Sequence, residues 1–293
     1  MNYKNITMIM QNTINGVDGK CKSSCYLTII KGMLAGAFVA FGAASSSVAM
    51  HGITDVGIAR TVAGCIFPVG LMMIILLGGE LFTGDCLMTM GVFDKQVKVK
   101  DMLTKLALTF LSNMAGAILI ALMVYGSGQF DYTDSALGAF TIKVAITKVN
   151  LTFTKAFLSG ILCNIIVCVA VLMAGAATDI VGKISAVFFP ILAFVIGGYE
   201  HCVANMFYIP AGMLAAGNER YVLKAMELYG FTESQINALN GWNFLYHNLL
   251  PVTLGNMVGG VVFVVLPLYI IYSKEKPKEE ISYLHQTNKK QTS

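Results

Sequence analysis

The chain has 293 residues, 56% of them hydrophobic and only 12% charged, with a formal net charge of +4 and a mean hydropathy of +0.70. A soluble domain carries about a quarter charged residues, so this composition excludes an ordinary water-soluble enzyme or binding module. The positive charge sits mostly in the flanks and gives no ground for a nucleic-acid partner.

The first 20 residues include Asn2, Lys4, Asn5, Gln11, Asn12, Asn15 and Asp18, too polar for the apolar core of a cleaved signal peptide. Residues 1–25 therefore read as a polar N-terminal segment, and the first apolar stretch as the insertion signal. Six apolar stretches follow, near 26–50, 61–92, 102–126, 152–176, 184–216 and 248–272. A membrane-spanning helix needs roughly 20 apolar residues, which each provides. Residues 26–272 make one transmembrane domain in the lipid bilayer, and 273–293 a charged, solvated tail. Between the fifth and sixth stretches, Glu219 to Asn240 mixes Arg220, Lys224, Glu227 and Glu233 with apolar residues, the pattern of short amphipathic surface helices.

Fourteen of the 20 Lys and Arg residues fall on one side of this six-span topology. The positive-inside rule then places both termini in the cytoplasm and the chain in the inner (cytoplasmic) membrane. Of seven cysteines, Cys65, Cys86, Cys163, Cys168 and Cys202 lie in apolar stretches, where a thiol acts as a small hydrophobe. Cys21 and Cys25 lack the partners that complete a metal site. No metal or cofactor is expected.

The second and fifth stretches are overlong and interrupted. The first interruption reads Gly78-Gly79-Glu80-Leu81-Phe82-Thr83-Gly84-Asp85, the second Gly197-Gly198-Tyr199-Glu200-His201-Cys202-Val203-Ala204-Asn205. Hydrocarbon cannot satisfy free backbone groups, so helices break at membrane depth only against protein or a polar cavity. Matching breaks in two halves point to a solute pathway near the midplane.

Other landmarks recur in the same order. Lys31–Gly36 resembles Lys155–Gly160, Phe67-Pro68 resembles Phe189-Pro190, and Asn113-Met114-Ala115-Gly116 resembles Asn256-Met257-Val258-Gly259. Two units of three spans must enter the bilayer from opposite sides. The expected fold is an all-α, multi-span membrane protein, a three-plus-three inverted repeat with its second and fifth helices broken. Gly32, Gly36, Gly116, Gly160, Gly255 and Gly259 stand at helix-packing spacing.

Glu200-His201-Cys202-Val203-Ala204-Asn205-Met206 with Pro210, Glu80-Leu81-Phe82-Thr83-Gly84, and Gly160-Ile161-Leu162-Cys163-Asn164 together resemble the signature of the formate/nitrite transporter family. The resemblance runs from about Lys31 to Tyr272. It implies an aquaporin-like fold, a homopentamer with one pore per protomer, and passage of small monovalent anions. It also implies that Thr83 hydrogen-bonds a central His201, that Asn164 borders the same chamber, and that Lys148 lies close to Glu200 and Asn205. Phe67, Leu71, Leu81, Phe82 and Phe194 are the implied apolar constrictions.

An ionisable side chain at membrane depth faces a cavity or a partner. Neutral imidazole can donate to a passing anion, and an ordinary histidine titrates near 6.5, so His201 is a candidate for proton exchange. Glu200 has Lys148 as its candidate partner, whereas Glu80 has none in the sequence. Half-helix N-termini after each break would add partial positive charge. An apolar constriction penalises a bare ion severely, so a weak acid would cross in its neutral form. Formate, nitrite and hydrosulfide all qualify. Thr83-Gly84-Asp85-Cys86 and His201-Cys202-Val203 resemble the hydrosulfide-conducting branch and rank hydrosulfide first. A proton-coupled carrier of formate or nitrite is the alternative. Catalysis is not expected, because Glu200, His201 and Cys202 are consecutive and point in different directions.

Overall fold

The computed structural model describes residues 3–275. Residues 276–293, most of the expected solvated tail, lie outside the described residues. The chain opens with α1 (Ile6–Lys22) and α2 (Cys25–Met50). The second apolar stretch is α3 (Val56–Ile66) and α4 (Val69–Leu77), bent at Pro68, then a break and the short α5 (Phe82–Asp85) and α6 (Thr89–Phe93). Next come α7 (Val99–Gly126), α8 (Ala136–Val149) and α9 (Phe153–Ala176). α10 (Ile180–Gly197), the second break and α11 (Cys202–Ala216) form the fifth stretch, and α12 (Glu219–Tyr229) and α13 (Glu233–Asn237) the expected amphipathic helices. α14 (Leu250–Gly260) and α15 (Leu266–Glu275) close the chain, with π-helical turns at Asn243–Leu249 and Val261–Val265. Among the described residues there is no strand, and six runs are long and apolar enough to span a membrane: α2, α3–α4, α7, α9, α10 and Asn243–Glu275. Large apolar side chains such as Leu111, Leu119, Phe189 and Val181 point outward, as a lipid-facing surface requires.

Both breaks start the same way. Gly78 and Gly198 adopt φ of +80° and +68°, and their amides close the preceding helices onto Ile74 O and Phe194 O at 2.9 and 3.1 Å. Only glycine takes this left-handed cap without strain. The chain then runs extended through Leu81 and His201, the N-caps of α5 and α11.

The asparagines of the repeat hold these extended segments in place. Asn113 on α7 donates to Gly32 O and Glu80 O at 2.8 and 2.9 Å, and its Oδ1 accepts the Phe82 amide at 2.9 Å. Asn256 on α14 donates to Gly160 O and Glu200 O at 2.8 and 3.0 Å, and accepts the Cys202 amide at 2.9 Å. The two sets are equivalent atom for atom. They also correct the register of the repeat: Gly32, not Gly36, is the counterpart of Gly160, one helical turn from the sequence alignment. The shared Lys-x-x-Leu-x-Gly lettering misleads because small residues recur every turn on both helices. A Cβ on Gly36 would overlap Asn113 O, and one on Gly116 would overlap Met33 O. Gly255 and Gly259 meet Phe157 O and Ile161 O in the same way. α2 with α7, and α9 with α14, thus pack backbone to backbone.

Two helices were not legible in the sequence. α1 is capped by Asn5 and buries Met10, Ile14 and Val17, one stripe at helical spacing, against α6 and α15. α8 is buried along most of its length against α11 and α12. Each leads into a three-span unit and carries a lysine in its last turn, Lys20 or Lys148.

Candidate functional site

The two breaks meet at the centre of the molecule. His201 is the N-cap of α11, and its Nδ1 accepts the Ala204 amide at 3.0 Å. A neutral ring that accepts at Nδ1 carries its proton on Nε2. Nε2 lies 2.9 Å from Thr83 Oγ1, to which it donates. The Thr83 hydroxyl keeps its own proton for another acceptor.

Above His201, Phe194 lies with its ring 6.1 Å from the imidazole and 5.8 Å from Phe67. This aromatic pair forms the floor of a cavity of about 1070 Å³, into which Lys148, Glu200, Asn205 and His201 also open. Four cationic residues line it, Arg60, Lys143, Lys148 and Lys155, against the single carboxylate of Glu200. Leu71, Leu81 and Phe82 are buried outside this cavity, and Phe82 packs edge-on against Phe110 at 5.0 Å. Asn164 spends its amide on Thr83 O at 3.2 Å and Asn256 O at 2.7 Å, tying the first break to α14.

Glu200 is fully engaged. Oε1 accepts Lys148 Nζ at 2.9 Å, and Oε2 accepts Asn205 Nδ2 at 2.7 Å and Asn248 Nδ2 at 3.4 Å. Lys148 also lies 5.2 Å from the Tyr208 ring. On the opposite side of the His201–Thr83 contact stands a second cluster. Lys20 Nζ reaches Glu80 Oε2 at 2.7 Å and Asp85 Oδ1 at 2.6 Å. Burial alone would lower Lys20, but Asp85 and Glu80 together hold its ammonium above the ordinary lysine range. The half-helix N-termini are partly spent, since the first amide of each is taken by Asn113 or Asn256.

A family model described as formate/nitrite transporter matches residues 7–270. The chain belongs to the formate/nitrite transporter family. It is 37% identical over 265 residues to a probable formate transporter of Methanothermobacter thermautotrophicus, covering 84% of this chain and 89% of that one. It is 31% identical to formate channel FocA of Escherichia coli (strain K12), covering 85% and 86%. A solved structure, a pentameric formate channel with formate bound, superimposes with a TM-score of 0.75 at 29% identity, over 85% of this chain and 97% of that one. As a member of the formate/nitrite transporter family the protein is a multi-pass membrane protein of a transporter family and not an enzyme.

Within this member of the formate/nitrite transporter family, sequence reading missed Lys20, Asp85 and Asn248. In the sequence Lys20 is one of the fourteen cationic residues on one side of the topology, with nothing to pair it with Glu80. The signal was in the repeat: Asp85 falls where Asn205 falls after the second glutamate, and a lysine stands ahead of each unit.

Proposed function

We propose that this chain forms a membrane channel for small monovalent anions of weak acids, assembled as a homopentamer with one pore per protomer and with both termini cytoplasmic in the inner membrane. The observation that carries the reading is the cation-lined cavity whose floor, Phe67 and Phe194, covers the His201–Thr83 pair. Four cationic residues against one carboxylate raise the local anion concentration. Lys148, held by Glu200, whose other oxygen Asn205 bonds, contributes to that positive field. The aromatic floor, with Leu71, Leu81 and Phe82 on the pathway beyond it, penalises a hydrated ion, so the anion crosses as its conjugate acid. Between the constrictions the His201 Nε2–H and the Thr83 hydroxyl supply donors, and Asn164 keeps Thr83 in position. Because Nδ1 is committed to capping α11, His201 acts as a neutral donor and the proton comes from the vestibules.

The relatives named formate channels put formate first among substrates to test, with nitrite in the same class. The residues at both breaks (Thr83-Gly84-Asp85-Cys86 and His201-Cys202-Val203) keep hydrosulfide beside them. Fluxes of formate, nitrite, hydrosulfide and chloride into proteoliposomes across a pH series test the reading. Weak-acid anions are expected to pass faster as pH falls, with chloride slow. Equal chloride flux would remove the neutral-crossing mechanism. Unitary currents in planar bilayers are expected for a channel, whereas saturable proton-coupled flux without them would assign a carrier.

A further inference from the structure

The two lysine–carboxylate clusters are related by the internal two-fold, yet they differ chemically. Five residues after Glu200 stands Asn205, which donates to the Glu200 carboxylate at 2.7 Å. Five residues after Glu80 stands Asp85, an acceptor where the other cluster has a donor. One ammonium, Lys20, therefore serves two carboxylates, whereas Lys148 serves one. Asp85 is only 2% exposed, and its Oδ2 has no hydrogen-bond partner among the described residues. A buried carboxylate oxygen without a donor keeps its full desolvation cost, and two carboxylates at one site resist joint ionisation. With both ionised, the cluster carries one net negative charge at the end of an anion pathway.

We propose that Glu80 and Asp85 share one bound proton, which supplies the missing donor and leaves the Lys20 cluster as neutral as the Lys148 cluster. Its consequence rests on the channel reading above. With the proton on, the Lys20 face admits an anion on the same terms as the Lys148 face. With the proton lost to bulk water at higher pH, the Lys20 face gains one negative charge, which retards the anion.

The titratable groups around the pair are Lys20 and Cys21 on α1, Lys31 on α2, Lys105 on α7, Cys86 in the turn after α5 and Cys168 on α9. A free carboxyl is far more acidic than a free amine or thiol, so the exchangeable proton is assigned to the carboxyl pair. Lys20 is held protonated by the carboxylates themselves. At the start of α11, His201 has both ring nitrogens engaged by Thr83 and Ala204, and α14 contributes no ionisable side chain.

Infrared difference spectroscopy of the purified protein in lipid reads the proton directly. A carboxylic-acid carbonyl band that shifts in D₂O and vanishes on titration to alkaline pH is expected, and it should be lost in both Asp85→Asn and Glu80→Gln. Absence of such a band from the wild type, or its survival in both variants, overturns the proposal. This readout needs no transport, so it stands apart from failure of the channel reading, and the wild-type spectrum decides even if a variant does not assemble. In proteoliposomes, raising the pH on the Lys20 face is expected to slow formate entry from that face beyond the weak-acid dependence, by about fivefold. That is the repulsion of one unit charge at about 4 Å in water. In Asp85→Asn, which supplies a permanent donor, this extra slowing should vanish, and its persistence there counts against the shared proton.

Discussion

His201 has two ring nitrogens with separate tasks: Nδ1 caps α11 and Nε2 points at Thr83. Asparagine is a strong N-cap through its side-chain oxygen, so it retains the first task while losing the Nε2–H contact to Thr83 and the ability to titrate. His201→Asn is therefore expected to fold and to lower flux by about tenfold, the worth of one well-placed hydrogen bond of about 1.4 kcal/mol. The pH dependence of flux should be unchanged; a flattened pH profile would make His201 the proton donor. Lys148 and Glu200 form the other test at this scale, with side chains 14% and 9% exposed. Removing one partner of a buried pair costs about 3–5 kcal/mol, because the other charge stays buried alone. Lys148→Met should lower the melting temperature measured by fluorescence, and adding Glu200→Gln should recover most of the loss. Equal melting of single and double variants would show that the pair is solvated. His201 and Glu200 were visible in the sequence as ionisable groups inside an apolar run, but their pairing with Thr83 and Lys148 followed only from the family resemblance. Lys20 was not visible in this way, since 60 residues separate it from Glu80 and its own segment reads as polar.

Hydrogen bonds to backbone matter more for elements than side-chain charge does here. Asn113 and Asn256 each close two backbone groups that a break leaves open at membrane depth, and tie the break to a carbonyl of the neighbouring helix. Each unsatisfied buried group costs about 1–3 kcal/mol. Asn113→Ala and Asn256→Ala should therefore lower the melting temperature by similar amounts, and a large difference between them would mean that the halves are not energetically equivalent. Close helix approach offers a sharper contrast. Gly116 touches the α2 backbone, whereas a Cβ on Gly126, at the end of the same helix, meets nothing within 4 Å. Gly116→Leu should abolish the monodisperse size-exclusion peak, and Gly126→Leu should leave it. The breaks and the small-residue stripes were visible in sequence because both follow from the cost of free backbone in hydrocarbon. α1 was not, since its stripe of Met10, Ile14 and Val17 is short and interspersed with asparagines. α8 escaped because its apolar run is too short to span and carries Lys143 and Lys148.

At the scale of the whole molecule, the inverted repeat sets what each face can do. The Lys148 face opens through a cation-lined cavity, whereas the Lys20 face is overlaid by α1. An odd number of spans per unit forces the two clusters to opposite sides of the bilayer, so any statement about proton or anion direction depends on which face is cytoplasmic. In the proposed topology the Lys20 face is the cytoplasmic one, since Lys95, Lys98, Lys100 and Lys183 share it and positive charge favours the inside. Two exposed positions report on the two faces, Lys98 in the loop before α7 and Asp134 in the loop before α8. In intact cells a membrane-impermeant maleimide should label Asp134→Cys above the background of the native cysteines. Lys98→Cys should be labelled only after the membrane is permeabilised. The reverse pattern would put the Lys148 cavity inside the cell, and anions would then be gathered for export where the present reading gathers them for entry. Labelling of both positions from outside would break the two-fold itself, since it would place both loops on one side of an odd-span repeat.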